Sequence, residues 1–215
     1  MTSERTPTRI DGRVNRRVGS RAKIEDAAVE LFAENGFTGT SMDDVADAAG
    51  VSKGTIFYNY SAKAELFAHL ISTAADALAG DIEEASAGLY GWAALDAAAL
   101  AMLRRVDSST AHVQILLSEL FRPGRPWAAQ LADDRRRLLA PMMRIVDEVA
   151  AERAAAGRLV AEPSPATAEA VAVSLLGALS VASLDRHAFG ADRPIEDLHR
   201  NLMLSISGLR AAPLS

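Results

Sequence analysis

Residues 41–60 read SMDDVADAAGVSKGTIFYNY. Two short helical patterns flank Gly50. Ser41 stands where a helix N-cap belongs, and Asp44, three residues on, can close a capping box with it. Val45, Ala46 and Ala49 then share one face of a helix over 42–49. Gly50 ends that helix, Val51 plugs the turn, and Ser52 can cap a second helix running to Tyr60. Ile56 and Tyr60, four apart, turn toward the same small core as Val45. Helix, glycine turn, helix is the helix-turn-helix layout.

The residues this core does not use are Lys53, Gly54, Thr55, Phe57, Tyr58 and Asn59. An exposed helix start offers backbone N–H groups and a positive dipole end, both suited to phosphate. Lys53 adds a mobile charge. Gly54 is a poor helix former, so close approach to another backbone is a physical reason for it. Thr55 can bond a base edge or offer its methyl group to thymine. Tyr58 cannot turn inward if Ile56 and Tyr60 do. Together these residues suit a recognition helix in a major groove. Asp43, a carboxylate in the first turn of its helix, is favoured there by the helix dipole and reads as structural.

Outward from this unit the pattern stays helical. No stretch sustains a period of two, and the chain is rich in alanine. Ile24, Ala27, Ala28, Leu31 and Phe32 mark a preceding helix over 20–35 that Gly36 stops. Phe32 and Phe37 pack beneath the helix-turn-helix. Further helices are expected over 62–78, 89–106, 109–121, 128–156, from Pro165 to about His187, and over 195–210. The 122–127 segment, with two prolines and a glycine, reads as a loop. Ser164 caps and Pro165 takes the first helical position of its helix. The expected fold class is therefore all-α. A three-helix N-terminal head (residues 20–65) precedes a larger C-terminal helical bundle (66–215), with about nine helices in all. Residues 1–19 form a basic, flexible arm.

The chain has 215 residues, no cysteine and a net charge of −5. Without cysteine there are no disulfides and no thiolate metal sites, which suits a reducing compartment. Residues 1–23 carry seven basic and two acidic side chains, so this +5 segment sits on a remainder of −10. A basic arm on an acidic body fits local contact with a polyanion. The N-terminus lacks an apolar run of signal-peptide type. The weakly charged stretch from Pro165 to Asp185 approaches membrane length, but serines, Thr167 and Gly177 interrupt it, and a buried helix is expected. Together these features read as a cytoplasmic protein with no membrane partner.

The segment GTSMDDVADAAGVSKGTIFYNYSAKAEL (39–66), preceded by AVELFAENGF (28–37), resembles the DNA-binding segment of the TetR (tetracycline-repressor) family of bacterial transcriptional regulators. The resemblance covers roughly residues 24–70, and beyond it the chain is similar only in length and helical layout. It implies that Ser41 and Lys63 meet backbone phosphate, with Ser52 also counted among the DNA-binding residues. It also implies that Lys53, Gly54 and Thr55 enter the major groove and that Tyr58 touches bases or phosphate. Two positions depart from the pattern. Phe57 stands where the family usually has a tyrosine, and Asn59 where it usually has a histidine. The packing is kept, while a phosphate donor and a positive charge are lost. Tyr58 and the basic arm are expected to compensate.

The resemblance further implies a homodimer with a small-molecule effector in the body. Dimerisation has independent support. The helix after Pro165 is apolar on nearly every face, more than one subunit can cover. Val171, Leu175 and Leu179 on it, with Leu198, Leu202 and Leu209 on the last helix, are the expected interface, forming a four-helix bundle between subunits. A two-fold dimer implies a roughly palindromic double-stranded DNA operator. Trp92, Met102, His112, Phe121, Trp127 and Met143 on the middle helices are candidate ligand residues, and few charges interrupt those apolar faces, which suits a largely apolar effector. No cofactor or metal is expected: there is no Gly-x-Ser-x-Gly, no His-Glu-x-x-His and no Walker loop, and the four histidines show no ligand spacing, which argues against an enzyme. Three readings stay open: a repressor released by its effector, an activator, and a helical binding or scaffold protein with a weakened DNA-binding head.

Overall fold

The computed structural model describes residues 11–120, 124–157 and 164–211. Among these there are nine helices and no strand: α1 (Asp11–Gly39), α2 (Met42–Ala48), α3 (Lys53–Asn59), α4 (Lys63–Ser86), α5 (Gly91–Ser108), α6 (Thr110–Leu120), α7 (Ala128–Ala155), α8 (Pro165–Phe189) and α9 (Ile195–Ala211).

The head forms as its sequence dictates. Ile24, Ala28 and Phe32 of α1 meet Val45 and Ala46 of α2, Ile56 of α3, and Tyr60, all buried. The helical dihedrals of α1 break at Gly36 (φ 70°, ψ 173°), and Gly50 turns α2 into α3 with φ 63°. Both sit in the left-handed region that glycine enters without a Cβ clash.

One boundary differs from expectation. The backbone is helical from Asp11, well before the expected start of the first helix at residue 20. Arg13, Arg16, Arg17, Arg21 and Lys23 all fall on the continuous helix α1.

Helix α4 is longer than its sequence suggested. Leu66, Phe67, Leu70, Ile71, Ala75, Leu78, Ala79, Ile82 and Ser86 form one buried stripe at spacings of three and four, and Gly80 does not end it. At 1.5 Å per residue its 24 residues span about 36 Å. Its first half closes the head and its second half packs against α5 and α7.

The body core is built by α4, α5 and α7 through Ile82, Leu95, Ala98, Met102, Leu103, Leu138, Met142 and Ile145. Helix α8 adds Ala172, Leu176 and Leu179. By length and composition alone α8 could cross a membrane, yet these three residues pack into the core with α5 and α7.

Two side-chain groups join the start of α7 to α1 and α4. Trp127, immediately before α7, sits in an aromatic cluster with Phe37 and Phe67, with ring centroids 4.5 and 4.8 Å away. The Asp134 carboxylate of α7, nearly fully buried, accepts from Ser72 Oγ of α4 (2.8 Å), Gln130 Nε2 (2.9 Å) and Arg137 (2.7 Å). A buried carboxylate with this many donors is held at little cost.

Candidate nucleic-acid interface

The first candidate element is the capped start of α2. Ser41 Oγ accepts from the Asp44 N–H (3.1 Å), and Asp44 Oδ2 accepts from the Ser41 N–H (2.9 Å). The Ser41 hydroxyl and the Ser41 backbone N–H, hydrogen-bonded to the Asp44 carboxylate, hold it below its ordinary range. The turn is closed by the Val51 N–H donating to the Ala46 carbonyl at 2.9 Å. At the start of α3, Ser52 Oγ accepts from the Thr55 N–H (3.2 Å) and shares a hydrogen bond with Thr55 Oγ1 (2.8 Å). The Thr55 hydroxyl is thus already engaged, and its methyl group remains for apolar contact.

Ile56 and Tyr60 fix the rotation of α3. Ile56 is fully buried, and the Tyr60 hydroxyl donates to the Glu25 carboxylate on α1. Arg21 Nε reaches the same carboxylate at 2.8 Å and the Tyr60 oxygen at 3.1 Å, and His69 Nε2 of α4 lies 3.0 Å from Glu25. One polar cluster therefore ties α1, α3 and α4 together. Burial works against ionisation of Glu25, but its hydrogen bonds from Tyr60 and Arg21 prevail and hold its pKa below the ordinary value. Burial, reinforced by Glu25, pushes the Tyr60 hydroxyl well above the usual phenol range, so it stays a donor.

With that face anchored, Phe57 and Tyr58 are left 43% and 71% exposed. Ser41, Ser52, Lys53 and Gly54 are also exposed. Gly54 has no internal reason to lack a side chain: a Cβ there would meet only Ser52 Oγ, at 3.9 Å. Asn59 is turned inward, its Nδ2 donating to the Thr55 carbonyl at 2.8 Å, with Oδ1 buried and unpartnered.

Lys63 has an internal engagement that local sequence could not reveal. Its Nζ donates to the carbonyls of Phe37 (2.7 Å) and Thr40 (2.6 Å) and lies 4.3 Å from the centre of the Phe37 ring. The last turn of α1 has no basic residue of its own, and Lys63 supplies the cation that free C-terminal carbonyls attract. Lys53 is likewise paired, with Asp43 at 2.8 Å.

The ligand candidates do not converge. Met102 is fully buried and Trp127 nearly so, as core residues, and His112 is half-buried on α6. Burial lowers the His112 pKa, opposed by Asp26 and aided by Arg105. Phe121 lies outside the described residues. Met143 lines a cleft of about 730 Å³ along α7, whose apolar floor is Leu139, Ala140 and Met143 and whose rim includes Tyr90, Arg135, Arg144, Glu148 and Glu169. Trp92 lines a separate cleft of about 620 Å³ between α5 and α9.

The interface candidates divide too. Leu179 is buried in its own subunit, and Leu175, Leu198 and Leu202 are half-buried against the same core. Val171 is 40% exposed, while the Leu209 side chain lies outside those described. The open face of α8 instead runs through Val171, Ser174, Ala178 and Val181, spaced three, four and three. Period alone could not separate it from the covered face, because both are apolar.

A capped helix-turn-helix head, its second helix anchored from behind and carried on a long helix into an all-helical body, defines the class of protein. Residues 24–70 match the family model for bacterial regulatory proteins, tetR family. KstR2 of Rhodococcus jostii, an HTH-type transcriptional repressor, is 31% identical over 103 residues, 47% of this chain and 50% of that protein. FasR of Mycolicibacterium smegmatis, an HTH-type transcriptional activator, is 33% identical over 84 residues, 38% of each. The chain thus matches half or less of the length of these curated relatives. Solved structures extend the likeness in fold to the body. Salmonella enterica GusR has a TM-score of 0.65 at 24% identity, covering 88% of this chain and 94% of that one. A Clostridium perfringens regulator has a TM-score of 0.73 at 20% identity, covering 90% and 100%.

Proposed function

We propose that this chain is a dimeric, ligand-responsive DNA-binding regulator that represses by occupying a roughly palindromic operator. The supporting observation is the exposed face of α3. Lys53, Gly54, Phe57 and Tyr58 stand out to solvent beside Ser52 because Ile56 and Tyr60 are locked inward. A large amphipathic side chain and an unexplained glycine at that place suit a major groove. Ser41 and Ser52 would donate to phosphate, and Thr55 would offer its methyl group. Asn59 and Lys63 would join only after giving up the carbonyls they now hold. The head is residues 20–65, the body begins at 66, and the protein works in the cytoplasm. Repression needs no further partner surface, which favours it over activation.

The second copy would cover the open face of α8, bringing two heads to one duplex. We place the effector in the α7 cleft, whose floor is apolar and whose rim is charged. Arg144 on that rim donates to Glu148 (2.6 Å) and to Ser86 Oγ (3.0 Å), the last residue of α4. An effector that draws Arg144 away would loosen the far end of the helix that carries the head. It must prefer the released conformation, since equal affinity for both shifts nothing. The test is selection of bound sequences from random DNA by the purified protein. Enrichment of an inverted repeat supports the reading, and no enrichment rejects it.

A further inference from the structure

Lys53 is the only cation among residues 41–60, against three carboxylates, Asp43, Asp44 and Asp47. It does not stand ready for DNA. Its Nζ lies 2.8 Å from Asp43 Oδ2, so the first residue of α3 is bound back to the first turn of α2. The fold does not need this pair. Lys53 is 68% exposed and Asp43 58%, and an exposed ion pair adds little stability. Nor does α2 need Asp43 for its start, since Asp44 already completes the capping box. Asp47, one turn on, is exposed as well. The surface of residues 41–60 is thus poor in cations, and its one lysine is held by a carboxylate.

We propose that Asp43 is a specificity-determining residue, a counter-charge that keeps Lys53 off the phosphates of arbitrary DNA and yields it only at the operator. This rests on the regulator reading above. Sequence-blind binding draws on neutralised phosphates, each adding about 0.9 to the slope of log affinity against log salt. While Lys53 stays with Asp43, one such contact is missing on every non-operator duplex. At the operator the head docks in register, and a guanine edge held beside Lys53 by the other base contacts takes it from the carboxylate. Asp43 therefore widens the gap between operator and background rather than strengthening either.

Asp43→Asn keeps the size of the side chain and leaves Ser41 and Asp44 untouched. Wild type, Asp43→Asn, Lys53→Met and the double variant are titrated by fluorescence anisotropy. The duplexes are an operator obtained by selection and a scrambled one, over a salt series. In Asp43→Asn, scrambled-duplex affinity should rise about tenfold and its salt slope steepen by about 0.9, while operator affinity rises about threefold at most and its slope holds. In the Lys53→Met background the slope change should vanish. Equal gains on both duplexes, or none on either, would overturn the proposal. So would a loss of operator affinity traced to one cytosine, because Asp43 would then be reading a base. If selection yields no preferred sequence, the regulator reading fails and this proposal falls with it. If an operator emerges and the two slopes change in parallel, only the role of Asp43 falls.

Discussion

Trp127 packs against Phe37 with ring centroids 4.5 Å apart, which brings the segment before α7 into the core of the DNA-binding head. Phe67 of α4 touches both rings, and the Trp127 indole N–H is buried without an acceptor. Head and body are thus joined by a shared aromatic cluster as well as by the covalent path through α4. Trp127→Ala is expected to cost about 3–5 kcal/mol, the range for emptying a buried aromatic site. Trp127→Phe is expected to cost far less, since it keeps most of the packing and removes an unsatisfied donor that costs about 1–3 kcal/mol to bury. Urea denaturation of the two variants checks this. Equal losses would mean that the N–H has a partner the geometry does not show.

The Glu25 cluster gives the head an acid limit. The folded pKa of Glu25 is below its ordinary value of 4.5. A depressed carboxyl contributes stability that is fully present above the unfolded value and is lost as pH falls through the folded one. Glu25→Gln is therefore expected to lower stability by about 2 kcal/mol at neutral pH. The difference from wild type should shrink steadily below about pH 4.5. Thermal melts at several pH values would show it, and a difference that does not change with pH would exclude the charge as its cause.

Gly54 separates folding from binding. It lies in the first turn of α3 with open space where a Cβ would be. Gly54→Ala is expected to stabilise the head by up to about 1 kcal/mol, the difference in helix propensity. It should also weaken operator binding at least tenfold, the cost of one lost or obstructed base contact. Thermal unfolding and DNA titration of the same sample measure both. Unchanged affinity would remove the close-approach explanation for this glycine.

Val181, 61% exposed on the open face of α8, is the sharpest test of the proposed subunit interface. Val181→Glu places a charge where the partner would cover it, and is expected to turn the dimer into a monomer. Sedimentation velocity reads the change. A wild-type monomer would refute the dimer, and a variant that stays dimeric would move the interface elsewhere.

Much of the head was legible because its determinants are local. The Ser41–Asp44 capping box, the Gly50 turn and the Ser52 cap each act within four residues, and all three form as their spacing requires. Lys63 was legible only as a cation at a helix start. The carbonyl it holds belongs to Phe37, 26 residues away, and no local pattern encodes that distance. Trp127 is only a ligand candidate by sequence, because a tryptophan on a middle segment suits either a ligand or a core. Its partners from α1 and α4 decide for the core. On α8 both faces are apolar, so only the placement of α5 and α7 reveals that Leu179 is covered and Val181 is not.

The central claim is that the outward face of α3 reads DNA. Its most direct test is an anisotropy titration of wild type, Tyr58→Ala and Lys53→Ala against the selected operator and a scrambled duplex at two salt concentrations. Wild type is expected to prefer the operator by about a hundredfold or more, and each substitution to remove most of that preference. A preference that survives both substitutions, or a wild type that binds both duplexes equally, would contradict it.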